Sequence, residues 1–175
     1  DNSKLKKVQF DSYDIEKLTN LIANAGKILL ISHRSPDGDT LGSTLALYLA
    51  LLQKGKIVYP FCVDQVPEKM HYLPAWDKMN SHLPDLNQID LVFINDNGDI
   101  KLTGLEEIND RLQSEKSIVN IDHHPSNDNF GSLNFVHTNA ASCTQIMTHL
   151  LKKLGVRISP DMATLLLNGL YTDTG

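Results

Sequence analysis

Three short apolar runs in this chain lead straight into aspartate and histidine: Lys27 to Ile31, Asp90 to Asn95, and Lys116 to Ile121. Runs of this length, rich in β-branched residues, read as buried strands. The first constrains the fold most. After Ile31 come His33, Asp37 and Asp39, with Pro36 and Gly38 forcing a turn between them. From Thr40 the pattern changes, and Leu41, Leu45, Tyr48, Leu49 and Leu52 recur at helical spacing. A strand, an acidic loop and a helix in that order make a βα unit. Asp39 and Thr40 stand where an N-cap is expected, so the first helical N–H groups are either capped by a side chain or turned toward a phosphate. Taken alone, Pro-Asp-Gly-Asp is also an ordinary turn composition.

The remaining pattern extends this unit. A helix is expected over 14–25, with Gly26 ending it, after a polar, extended lead-in over 1–10. The helix from Thr40 stops near Gln53, before Gly55. Residues 57–63 form a second β-rich run whose Pro60 suggests an irregular or edge position. The segment 67–84, with its prolines, reads as loop with one short helix, and His71 and His82 within it as surface or packing residues. Further helices are expected over 104–113, 139–154 and 162–170, the last with Ser159 as N-cap and Pro160 in its first turn. Strands alternating with helices predict an α/β fold, a three-layer sandwich around a largely parallel sheet.

In such a sheet, ligands lie beyond the carboxyl ends of the strands. His33, Asp37 and Asp39 follow the first strand, Asp96 the third, and Asp122, His123 and His124 the fourth, so all reach one edge. Converging carboxylates repel one another unless protonated or neutralised by cations, which points to metal. Oxygen donors with imidazole and no cysteine suit Mn²⁺, ahead of Mg²⁺, Fe²⁺ or Zn²⁺. Two ions about 3.5–4 Å apart, sharing a carboxylate and a water, make a site for phosphoester hydrolysis. Asp96, alone on its loop, is the natural bridge.

At 175 residues the chain has the size of one domain, and a net charge of −5 argues against duplex DNA as a partner. No run approaches the roughly 20 apolar residues that cross a bilayer, so no membrane partner is expected. Cys62 and Cys143 read as buried thiols of a reducing cytoplasm. A homodimer is left open.

The ordered set His33-x-x-x-Asp37-x-Asp39, Asp96, Asp122-His123-His124 and Asp173 in Tyr-Thr-Asp-Thr-Gly resembles the four motifs of the DHH phosphoesterase family. The wording around His33 resembles the bacterial branch of nano-RNases and adenosine 3′,5′-bisphosphate (pAp) phosphatases. The resemblance implies two divalent cations, one held by His33, Asp37 and Asp96, the other by Asp39, Asp96, His123 and Asp173. It implies that His124 faces the substrate phosphate as hydrogen-bond donor or leaving-group acid, that Asp122 orients a histidine, and that Arg34 reaches a phosphate. The implied substrates are short oligoribonucleotides or pAp, with cyclic dinucleotides or pyrophosphate as alternatives. It further implies that residues 1–175 are the DHH catalytic domain of a two-domain protein whose C-terminal substrate domain is absent from this chain. A truncated, non-catalytic metal- or nucleotide-binding module is the reading from outside the enzyme class. Two departures from the family pattern, Ser35 in place of Asn and Gln145 in place of Glu, bear on substrate fit rather than on metal.

Overall fold

The computed structural model describes residues 8–175; the part of the expected lead-in over 1–7 lies outside the described residues. Helix α1 (Ser12–Asn24) precedes strand β1 (Lys27–Ile31), helix α2 (Gly38–Gln53) and strand β2 (Ile57–Phe61). Strand β3 (Leu91–Asn95), helix α3 (Asn109–Glu115), strand β4 (Ser117–Asp122) and strand β5 (Leu133–Val136) follow, and helices α4 (Cys143–Lys153) and α5 (Pro160–Thr174) close the chain. The sheet is parallel throughout, in the order β2-β1-β3-β4-β5. Pro60 therefore lies in an edge strand, where its missing N–H costs no ladder bond.

The continuous apolar runs have a structural reason. Ile28 and Leu30 face a core shared with α1, α2, α4 and α5, while Leu29 and Ile31 face a second core shared with Leu112 of α3. A sheet covered on both faces needs apolar residues at successive positions, not alternating ones. These are the three layers the pattern predicts. Leu45 and Leu165 are fully buried and contribute roughly 1.5–3 kcal/mol each. Close approach of α2 and α5 requires Gly42, where a Cβ would lie 2.5 Å from the Leu165 carbonyl oxygen.

Four expectations need correction. β5 was not expected, because the connection from β4 contains no helix and the strand is only four residues long. The helix expected over 104–113 begins only at Asn109, after a 3-10 turn over Ile100–Thr103 closed by Gly104 at φ +73°. α4 begins at Cys143, since Ser142 accepts the Gln145 N–H as its N-cap. Finally, the N-cap of α2 is Asp37, whose Oδ1 accepts the N–H of Asp39 and of Thr40 at 3.0 Å each. The 67–84 loop carries two 3-10 turns, Glu68–Met70 and Trp76–Lys78, and a third, Leu86–Gln88, follows it. His71 stacks on Trp76 with ring centroids 3.5 Å apart, and His82 is exposed.

A candidate metal centre at the sheet switch point

The chain leaves β1 toward β2 on one side and returns to β3 on the other, so the crevice beyond β1 and β3 is the switch point of the sheet. Every expected metal-ligating residue gathers there or on the adjoining end of α5. His33 follows β1 and Asp96 follows β3; Asp37 and Asp39 open α2; His123 follows β4; Asp173 sits on the last turn of α5, not beyond the helix as the sequence suggested.

Asp96 stands between two groups. Its Oδ2 lies 3.7 Å from His33 Nε2, which is 3.6 Å from Asp37 Oδ2. Its Oδ1 lies 3.6 Å from His123 Nε2, which is 3.2 Å from Asp173 Oδ2 and 3.8 Å from Asp39 Oδ2. Apart from the His123–Asp173 pair, these separations are too long for hydrogen bonds. They suit neighbouring donors around a cation at 2.0–2.2 Å, which stand about 3.0–3.6 Å apart. Asp96 Oδ1 and His123 Nε2 are both buried and have no hydrogen-bond partner among the described residues. Two orphaned donors aimed at one space are what a pair of divalent cations would satisfy, so the residues fit such ions.

The surroundings prepare these donors. His33 Nδ1–H donates to the Arg34 carbonyl at 2.6 Å, so the neutral imidazole would carry its lone pair on Nε2, facing the carboxylates. Asp96 adopts φ +61°, an uncommon backbone state for a residue other than glycine. Burial pushes its carboxyl up to about 8, and the nearby Asp39 and Asp37 add to that push. Burial works against a charged His33, yet the carboxylates of Asp37 and Asp96 carry it up to about 10. Burial likewise raises Asp39, although the N–H groups of Thr144 and Cys143 pull it down. The cluster thus holds its own protons when no other cation is present.

His124 also stands within ligand reach of Asp96 and His123, but its own hydrogen bond sets it apart from the other two groups. Its Nδ1 comes within 3.8 Å of Asp96 but is committed to Asp122 Oδ1 at 2.7 Å. That hydrogen bond raises the imidazole to about 9 against partial burial. Burial would raise the fully buried Asp122, but the bonds from His124 and Asn127 hold it below the ordinary carboxylate range. Arg34 lies away from the cluster: its guanidinium pairs with Glu106 and donates to the Lys101 carbonyl. Ser35 adopts φ +52°, a state in which asparagine is several-fold enriched. That gives the departure from the family pattern a backbone meaning. Gln145 accepts the Ala141 N–H at 2.7 Å and so serves the start of α4.

Several supports escaped the sequence reading. Asn127 donates to Asp122 Oδ2 at 2.7 Å and to the Asn97 carbonyl at 3.0 Å, tying the loops after β3 and β4 together. Asn120 bonds Asn127 and Asn134, and Gly131 bonds Asn134, which fixes the helix-free crossover to β5. Asp64 accepts the Ser35 N–H at 2.7 Å. The asparagine-rich stretch after His124 is the one signal that marked part of this, as a set of Asx turns. Cys62 and Cys143 are buried thiols that donate to the carbonyls of His33 and Ile121.

Residues 27–170 match the sequence model of the DHH family, N-terminal domain. The chain is 33% identical over 156 residues to the bifunctional oligoribonuclease and PAP phosphatase NrnA of Thermus thermophilus, spanning 89% of this chain and 45% of that protein. It is 26% identical over 155 residues to a probable manganese-dependent inorganic pyrophosphatase of Bacillus licheniformis, spanning 85% and 48%. The crystal structure of an exopolyphosphatase-related protein from Bacteroides fragilis superposes with a TM-score of 0.83 at 28% identity, over 94% of this chain and 51% of that one. The chain spans about half the length of the curated relatives it matches.

Proposed function

The chain belongs to the DHH family, and from that premise we propose that residues 1–175 are the catalytic domain of a two-domain, manganese-dependent phosphoesterase. Its substrates are short oligoribonucleotides and pAp, the chemistry named for the Thermus thermophilus relative. The observation that carries this reading is the position of Asp96 between two donor groups. His33, Asp37 and Asp96 would hold one cation, and Asp39, His123 and Asp173 the other, with Asp96 Oδ1, 3.6 Å from His123 Nε2, reaching the second as well. Bound divalent cations supply Lewis acidity to a phosphoryl oxygen and lower the pKa of a water. The chain's own groups do the rest. Asp122 orients His124 and favours its protonated form, whose Nε2–H then meets the substrate phosphate, donating a hydrogen bond and a proton to the leaving oxygen. Arg34 reaches a phosphate only by exchanging Glu106 for it.

A second reading, a pyrophosphatase, draws on the Bacillus licheniformis relative and on the exopolyphosphatase-related structure. Hydrolysis of a panel with Mn²⁺ separates the two: pAp, a dinucleotide, a longer oligonucleotide, a cyclic dinucleotide and pyrophosphate. Fastest turnover of pAp and the dinucleotide supports the first reading, and preference for pyrophosphate the second. Nucleotide binding without turnover of any substrate would point to a non-catalytic module.

A further inference from the structure

Tyr72, in the segment after β2, reaches across to α5. Tyr72 donates its hydroxyl to Asn168 Oδ1 at 2.5 Å, and Asn168 Nδ2 donates to the Gly38 carbonyl at 3.4 Å. Gly38 lies between Asp37 and Asp39, and its Cα is so close to α5 that a Cβ would meet Asn168 Nδ2 at 2.8 Å and Thr172 Oγ1 at 2.5 Å. The Tyr72 hydroxyl is thus two hydrogen bonds from the loop that carries two of the expected cation ligands.

Tyr72 as a whole is 65% exposed. A tyrosine recruited only to pin one segment onto a helix would bury its ring along with its hydroxyl, because the ring carries most of the burial free energy. Here the polar tip is fixed and the aromatic face is left to solvent. Through Asn168 it is joined to the loop of Asp37, whose side chain is itself 54% exposed, so that loop is an open side of the carboxylate cluster. Scattered exposed apolar residues are ordinary, but this one is tethered to a candidate ligand loop.

We infer that Tyr72 is a stacking platform for the nucleobase of a substrate whose phosphate sits at the Asp96 cluster. This rests on the phosphoester reading above and deepens it by assigning the part of the substrate that carries no phosphate. Base–aromatic stacking tolerates any base, since every base has a π-face, which suits short oligonucleotides of mixed sequence. A base-free substrate such as pyrophosphate gains nothing from the ring.

The test uses the Mn²⁺-loaded 175-residue chain and two probes that differ only in the base, AMP and ribose 5-phosphate, with affinities read by titration calorimetry. In the wild type AMP binds more tightly than ribose 5-phosphate. Tyr72→Ala weakens AMP by roughly 5- to 100-fold, the range of one base–aromatic stack, and leaves ribose 5-phosphate and Mn²⁺ affinity unchanged. Tyr72→Phe keeps the ring and stays within about threefold of wild type for AMP. Equal loss for both probes, or no loss for AMP, in Tyr72→Ala overturns the inference. A wild type that binds both probes equally overturns the inference alone. One that binds Mn²⁺ but neither probe overturns the phosphoester reading with it.

Discussion

Asp39 caps a helix 104 residues away: its Oδ2 accepts the Cys143 N–H at 2.6 Å, and its Oδ1 accepts the Thr144 N–H at 2.9 Å. The start of α2 is thereby fastened to the start of α4, and the same Oδ2 lies 3.8 Å from His123 Nε2. One carboxylate serves the fold and the candidate cation site together. Asp39→Ala leaves two buried N–H groups unpaired, and the chelator-treated chain is expected to lose about 1–2 kcal/mol in urea denaturation.

Gly169 controls the same region from α5. A Cβ there would lie 2.3 Å from Thr144 Cγ2 and 2.8 Å from Asp39 Oδ1. Gly169→Ala therefore forces α5 away from α4 and α2. A destabilisation of roughly 1–3 kcal/mol, the usual range for overpacking, should appear as a lower denaturant midpoint, together with weaker Mn²⁺ binding.

The metal-free chain should lose stability as pH rises. Asp96 has its carboxyl raised by burial to about 8, so the folded state retains a proton that the unfolded state gives up near 3.8. His33, raised to about 10 by its carboxylate neighbours against burial, and His124, raised to about 9 by Asp122, stay protonated above pH 6.5, where the unfolded imidazoles do not. In all three cases the folded state binds more protons, so stability falls with pH: from about pH 4 to 8 for Asp96, and from 6.5 toward 9 or 10 for the histidines. His137, lowered by burial, acts in the opposite sense, losing stability as pH falls below 6.5. Melting temperatures across pH 4–9 with a chelator should decline, and added Mn²⁺ should stabilise more at pH 8 than at pH 5, because its ligands must be deprotonated.

Asp122 holds His124 and is itself held by Asn127. Asp122→Asn should lower kcat for pAp by about 10- to 100-fold, the range for outer supports of such sites. Mn²⁺ stoichiometry should stay that of the wild type. Loss of the cations in this variant would contradict the separation of His124 from the cation set.

Much of the centre was legible because its residues follow strands whose apolar runs are unbroken, and a doubly covered parallel sheet needs such runs. Its edge then brings His33, Asp96 and His123 together by topology alone. What stayed hidden depends on pairings over long sequence distances. Nothing near Asp39 announces that it caps α4, and nothing near Tyr72 announces Asn168. β5 was hidden because side chains of Asn120, Asn127 and Asn134 do locally what a crossover helix usually does. Asp173 was placed after a helix because Thr-Asp-Thr-Gly reads as a helix end, yet α5 continues through Thr174 and carries it inward.

The central claim is that Asp96 joins two cations in one centre. Manganese titration of the 175-residue chain, followed by electron paramagnetic resonance, tests it most directly. The account predicts two Mn²⁺ per chain with an exchange-coupled spectrum, and in Asp96→Asn loss of the coupling with at least one ion released. A single uncoupled Mn²⁺ in the wild type, or a coupled pair that survives Asp96→Asn, would contradict it.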